Sequence, residues 1–224
     1  MLVEIPDPRR DSTIAAALFD FDETMVDLEP QHEAAVAALC RELGADYAQI
    51  PPNIIVSGRR VIDEISDIRA HFGWSASVDA LMARRQELLI DICRTADLEL
   101  MPGVREMIHA LRERGIPLAI TTSAQRDAIE LILERMQLRD AFDLIVDGSE
   151  VQHGKPHPEG YLITARKLGV AAHDCIVFED SALGVLAAKR AGMYCIAVRN
   201  PRAAVWQDLS AADVVVDSMR SLLR

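Results

Sequence analysis

Beyond residue 100, short apolar runs alternate with amphipathic stretches of helical period, and no other feature restricts the fold as much. A helical pattern through Val104, Met107, Ile108 and Leu111 stops at Gly115, and the run Ile116 to Ile120 follows. A helix through Ile129, Ile132, Leu133 and Met136 leads to the run Leu144–Val146. A third, through Tyr161, Leu162, Ala165 and Leu168, leads to Cys175–Phe178. A fourth stops at Gly192 and is followed by Tyr194–Val198 and Asp213–Val216. An earlier run, Ile14 to Phe19, heads the series. Runs this short, joined by helices this long, predict parallel βαβ units with right-handed crossovers. The expected class is α/β, with a doubly wound, Rossmann-like parallel sheet.

Residues 28–98 break that rhythm. They carry helical patterns from Glu29 to Leu43, from about Arg59 to Phe72 and from Val78 to Arg94. Gly44 and Gly73 act as stops. The expected organisation is a core of residues 1–27 and 99–224, with an all-helical cap of 28–98 inserted after the first strand. Residues 1–13 are charged, contain Pro6 and Pro8, and are expected to be a loose lead-in.

Composition narrows the function. Half of the 224 residues are apolar, enough for a sizeable core, and the net charge is −11. With no basic tract, nucleic acid is not an expected partner. No apolar run reaches membrane-spanning length, and the N-terminus does not resemble a signal peptide. Cys40, Cys93, Cys175 and Cys195 are widely spaced, as expected of reduced packing residues in a cytoplasmic protein.

Polar chemistry recurs where the strands end. The first run ends in Asp20 and Asp22, which extended backbone would turn to one face. The second ends in Thr122 and Ser123, the loop after the third carries Lys155, and the fourth ends in Glu179 and Asp180. Parallel strands bring such ends to one edge, where ligands bind in α/β sheets. Crowded carboxylates repel, and Mg²⁺ with Lys155 would offset them and leave a place for phosphate. Taken singly, each element also has a plain structural role. The aspartates suit a turn, Thr122-Ser123 and Glu179-Asp180-Ser181 suit helix caps, and Lys155 suits a solvated loop.

Together these residues resemble the haloacid dehalogenase-like hydrolase superfamily, in the branch of β-phosphoglucomutase and small sugar phosphatases. Asp20 to Thr24 matches its first motif, Thr122 its second, and Lys155 in His153-Gly154-Lys155-Pro156 its third. Phe178-Glu179-Asp180-Ser181, with Gly184 and Gly192 beyond, matches its fourth. Glu23 departs from the pattern, which has glycine there.

The resemblance implies a phosphomonoesterase. Asp20 would attack phosphorus to form an aspartyl-phosphate, and Asp22 would serve as acid and then base. Mg²⁺ would be held by Asp20, the Asp22 carbonyl and Asp180, with Glu179 as a further or water-mediated ligand. Lys155 and Thr122, with the amides of Phe21 and Ser123, would bind the phosphoryl oxygens. The implied substrate is a small phosphorylated metabolite, and the implied state a monomer or small homo-oligomer.

Three cap residues are expected near the substrate. His32 matches a histidine near the cap hinge of β-phosphoglucomutase, and suits an exposed helical position equally. Arg59 and Arg60 follow Gly58 and could meet a distal phosphate or hydroxyls, or form a solvated first helical turn. The absence of lysine from 28–98 argues against a phosphonate-cleaving relative, which needs a cap lysine for its Schiff base. A mutase is the nearest rival. The cap arginine that holds the second phosphate in β-phosphoglucomutase aligns, on Gly58, with Val61. Guanidinium makes bidentate contacts to phosphate and an aliphatic side chain cannot, which favours the phosphatase.

Overall fold

The computed structural model describes residues 14–55, 60–200 and 207–223; the expected lead-in, residues 1–13, lies outside them. Six strands form one sheet: β1 (Ala16–Phe19), β2 (Leu118–Thr121), β3 (Leu144–Val146), β4 (Cys175–Glu179), β5 (Tyr194–Val198) and β6 (Val214–Val216). Their order is β3-β2-β1-β4-β5-β6 and every pairing is parallel. This is the α/β class expected from the alternation. β1, β2, β4 and β5 are buried at every residue, which is why they read as unbroken apolar runs. β6, at the edge, is only half-buried. β2 begins two residues later than the run that announces it. Pro117 has no amide hydrogen to give a ladder, although its carbonyl accepts from the Ala17 N–H at 2.9 Å.

Alternating side chains of β1 feed two cores. Ala17 and Phe19 join one apolar cluster, and Ala16 and Leu18 the other. Phe19 stacks on Phe178 at 4.7 Å between ring centroids, locking β1 to β4 just before both strands turn polar. Helices α4 (Val104–Glu113), α5 (Arg126–Arg135), α6 (Glu159–Leu168) and α7 (Ala182–Arg190) supply the crossovers.

Between β1 and α4 the described chain has α1 (Glu29–Glu42), α2 (Val61–Phe72) and α3 (Val78–Thr95), with no strand. Val36, Leu39, Cys40, Ile65, Ile68 and Leu81 give these helices an apolar cluster of their own. Leu89 and Cys93, further along α3, pack instead into the core beside the sheet. α2 starts at Val61 rather than near Arg59, because Arg60 has extended backbone and serves as its N-cap. Gly73 ends α2 in the left-handed conformation (φ 66°), which glycine adopts without steric cost. The two chain segments joining the helices to the sheet run side by side. Val26 bridges Leu100, and the Met101 amide donates to the Met25 carbonyl at 2.9 Å. All four cysteines are buried and unbridged.

Candidate active site

The register of the sheet brings the polar ends together. Phe19 stands opposite both Ile120 and Phe178, so Asp20 lies level with Thr121 and Glu179. With the order β3-β2-β1-β4, this edge lies where the connections diverge, the usual ligand crevice of such sheets. A cavity of about 1360 Å³ opens there, walled below by Asp20, Asp22, Thr122, Lys155 and Asp180 and above by His32, Arg60 and Arg85. Phe21 and Ser123 also line it.

Lys155 Nζ donates to Asp20 Oδ1 at 2.5 Å and to Glu179 Oε1, in a setting almost closed to solvent. Burial alone would lower the lysine pKa, but the two carboxylates raise it well above the ordinary range, so Lys155 is a fixed cation. Glu179 is spent on holding it. Its Oε1 also accepts from the Tyr161 hydroxyl at 2.8 Å. Its Oε2 accepts from the amides of Asp180 and Ser181 and from the Ser181 hydroxyl, each at 3.0 Å. Burial opposes its ionisation, yet Lys155 and these donors keep the Glu179 pKa below its usual value. Gly184, in the first turn of α7, makes room for this carboxylate. A Cβ there would lie 1.7 Å from Glu179 Oε1.

Asp180 is positioned by Thr24, whose hydroxyl donates to its Oδ1 at 2.9 Å. Burial, with the charges of Glu179 and Asp20, pushes the Asp180 pKa well up. Burial raises Asp20 too, against the pull of Lys155. Asp20, Glu179 and Asp180 offer oxygens within 4.8 Å of one another, all buried. One lysine does not neutralise three buried carboxylates. A hard divalent cation fits this set of oxygens, and Asp20 and Asp180, which line the cavity, are the members open to it.

Asp22 lines the same cavity two residues beyond Asp20. Its Oδ2 lies 3.5 Å from His32 Nε2, and its Oδ1 is buried with no hydrogen-bond partner. His32 Nδ1 lies 2.7 Å from Arg85 NH2. Guanidinium can only donate, so Nδ1 is the acceptor and the ring proton sits on Nε2, toward Asp22. Burial would raise the Asp22 pKa, but the His32 hydrogen bond and the charges of Arg85 and Lys155 hold it below the usual value. Arg85 escaped the sequence reading. It lies i, i+4 from both Leu81 and Leu89, so a charge on the buried stripe of α3 was the available signal.

The remaining expected residues divide. Thr122 is buried at the cavity wall, and its hydroxyl accepts from the Ala124 amide at 3.1 Å. The N-cap of α5 is Gln125, so neither Thr122 nor Ser123 caps that helix. Ser181, by contrast, does cap α7, accepting from the Gly184 amide. Phe21 has its ring in the core. Arg60 reaches the cavity with its guanidinium forked onto Asp63 at 2.8 Å and its aliphatic stem against Gly154. Arg59 lies outside the described residues.

A model of the family described as haloacid dehalogenase-like hydrolase matches residues 14–192. The chain belongs to the haloacid dehalogenase-like hydrolases. It is 33% identical to validoxylamine A 7′-phosphate phosphatase of Streptomyces hygroscopicus subsp. limoneus, covering 91% of this chain and 93% of that protein. It is also 33% identical to hexitol phosphatase B of Escherichia coli K12, covering 93% and 94%. Among solved structures, CbbY from Rhodobacter sphaeroides in complex with phosphate superposes with a TM-score of 0.84, at 25% identity over 94% of this chain and 96% of that one. β-Phosphoglucomutase from Clostridium difficile gives 0.78 at 26% identity, over 94% and 93%.

In this hydrolase Glu23 takes a backbone conformation that favours glycine, with φ 62°. The side chain gives it a use. Oε1 accepts from the amides of Leu28 and Glu29 at the start of α1, at 2.9 and 2.7 Å, and Oε2 accepts from Asn200 Nδ2 at 2.6 Å. One carboxylate thus ties the loop after β1 to the first inserted helix and to the residues after β5.

Proposed function

We propose that this hydrolase is a Mg²⁺-dependent phosphatase for a small sugar or polyol phosphate, acting through an aspartyl-phosphate. The observation that carries the reading is the presence in one cavity of a lysine-bound aspartate, Asp20, and a histidine-bound aspartate, Asp22. Relatives named as sugar-phosphate and hexitol phosphatases support the substrate class. We assign residues 28–98 as a cap that closes the cavity over the core, 1–27 and 99–224.

Asp20 Oδ1 is taken by Lys155, which leaves Oδ2 to attack phosphorus. The bond from phosphorus to the ester oxygen breaks, and Asp22 gives that oxygen a proton. Asp22, then ionised, takes a proton from the water that attacks the aspartyl-phosphate, releasing phosphate and restoring Asp20. The low pKa set by His32 and Arg85 suits this second half, and the negative charge of arriving phosphate favours the protonated form in the first. Lys155 and Thr122 bind phosphoryl oxygens, with help from the Phe21 and Ser123 amides. Mg²⁺, held by Asp20, Asp180 and the Asp22 carbonyl, would neutralise charge on the transferring group. Glu179 positions Lys155 and Asp180 in this scheme, beside the further or water-mediated metal-ligand role expected from sequence.

The deciding assay measures phosphate release from a panel of hexitol, hexose and glycerol monophosphates with Mg²⁺, beside glucose 1-phosphate carrying a trace of the 1,6-bisphosphate. Phosphate release, abolished reversibly by EDTA, is expected. Rapid conversion to glucose 6-phosphate with little phosphate released would make the enzyme a mutase. Two observations count against that outcome: Val61 lines the cavity where a phosphate-binding arginine would be needed, and Arg60 is already held by Asp63.

Arg85→Met removes the donor that fixes the His32 tautomer. Its expected effect is a fall in kcat of about 10–100-fold, short of the full 10²–10⁴ attributed to proton transfer, with a smaller change in KM. Arg85→Lys should restore part of the rate. A rise in KM at constant kcat would place Arg85 in substrate binding instead.

A further inference from the structure

Beside the loop that carries Lys155, a second group of metal-ligating side chains faces outward. His153, His157 and Glu159 each offer one donor atom, and the three lie within 4.8 Å of one another. Glu159 Oε2 is hydrogen-bonded to His153 Nδ1 at 2.8 Å, a contact that a bound ion would replace, and lies 3.8 Å from His157 Nδ1. Donors around a tetrahedral zinc ion, with bonds of roughly 2.0–2.1 Å, stand about 3.3 Å apart. The two observed separations bracket that value, so small side-chain rotations would complete the three-sided site. The imidazole rings lie with centroids 4.8 Å apart and planes tilted by 39°.

The backbone of this turn is already arranged around Glu159. Its Oε1 accepts from the Gln152 amide and its Oε2 from the His153 amide, both at 3.0 Å. The His157 amide donates to the Gly154 carbonyl at 3.0 Å, drawing the two histidines together. The Glu159 amide donates to His157 Nδ1 at 3.3 Å, a contact that a ligating nitrogen would exchange for the ion. Among the described residues, three nearby cationic heads are engaged elsewhere. Lys155 points inward to Asp20, Arg60 is held by Asp63, and Arg190 donates to the Pro156 carbonyl. His153 and His157 are 65% and 52% exposed, which leaves room for water to complete the coordination.

We propose that His153, His157 and Glu159 form a second metal site, at the rim of the cavity and distinct from the acidic trio. Two imidazoles and one carboxylate select a borderline transition ion such as Zn²⁺, Co²⁺ or Ni²⁺ over Mg²⁺. His153 and His157 flank Lys155 in sequence, so occupation would tie together both sides of the turn that carries the site's lysine.

The test titrates Co²⁺ into the protein with Mg²⁺ in excess and follows visible absorption, comparing the wild type with His153→Asn/His157→Asn. Co²⁺ can also enter at the acidic trio, so the difference between the two proteins is the readout. The expected result is one equivalent of Co²⁺ absorption present in the wild type and lost in the variant. Both substitutions are on exposed side chains, and the bonds from the Gln152 and His153 amides to the Glu159 carboxylate remain, so Mg²⁺-dependent phosphate release should persist. Identical uptake and spectra in the two proteins would overturn the proposal.

Discussion

Asp20→Asn should leave phosphatase turnover on the order of 10⁴-fold down or more, the scale on which removing a nucleophile acts. The side chain changes little in shape, but an amide oxygen does not form a stable acyl phosphate. The fold should tolerate the change well. Asp20 is one of three carboxylates crowded in a buried cluster, and the mutation removes one of those charges while Lys155 keeps Glu179 as its partner. Thermal unfolding in EDTA should therefore show a midpoint no lower than that of the wild type. Phosphate release at the wild-type rate would rule out the aspartyl-phosphate route. Lost activity with a large fall in the midpoint would mean that the charge balance of the trio has been misjudged.

Lys155→Met should damage both activity and stability. Its ammonium is the counter-charge to two buried carboxylates, and breaking a buried pair by removing one partner costs about 3–5 kcal/mol. Denaturant unfolding in EDTA at pH 8 measures that loss. With the lysine gone, burial acts unopposed on Asp20, whose folded pKa is already raised. A carboxyl with a raised folded pKa stabilises the fold when protonated and loses that contribution as pH rises through the folded value. The deficit of the variant should therefore shrink as pH falls from 8 toward 5. An equal deficit at both pH values would show that packing by the lysine stem, rather than its charge, is what the mutation removes. Turnover should fall with phosphate affinity, since the same ammonium faces the cavity.

The sheet was legible because its central strands are covered on both faces, so each appears as an uninterrupted apolar run. The convergence of Asp20, Lys155 and Asp180 was legible for a related reason. Parallel order puts successive strand ends at one edge, whatever the distance in sequence. What escaped depends on how the inserted helices dock. Arg85 meets His32 across 53 positions, and its only trace in the chain is a charge where the stripe of α3 calls for an apolar residue. The fate of Arg60 was hidden differently. Asp63, three residues on, lies within reach on the same helical turn, yet whether the pair closes on itself or opens to a ligand is decided by side-chain conformation. Glu23 was visible as a departure from the family pattern, but not the three donors it collects, two from the start of α1 and one from Asn200, 177 positions away.

The pocket behind Lys155 has a consequence for how sequence can vary. Position 184 lies in a helix, at ordinary helical backbone angles, where alanine would normally be the better choice by about 1 kcal/mol. Here even one methyl group would occupy the space of the Glu179 carboxylate. Substitution there would displace the anchor of the lysine before it touched any substrate. A library that diversifies α7 as if it were scaffold must therefore hold this glycine constant, as it would a residue of the reaction itself.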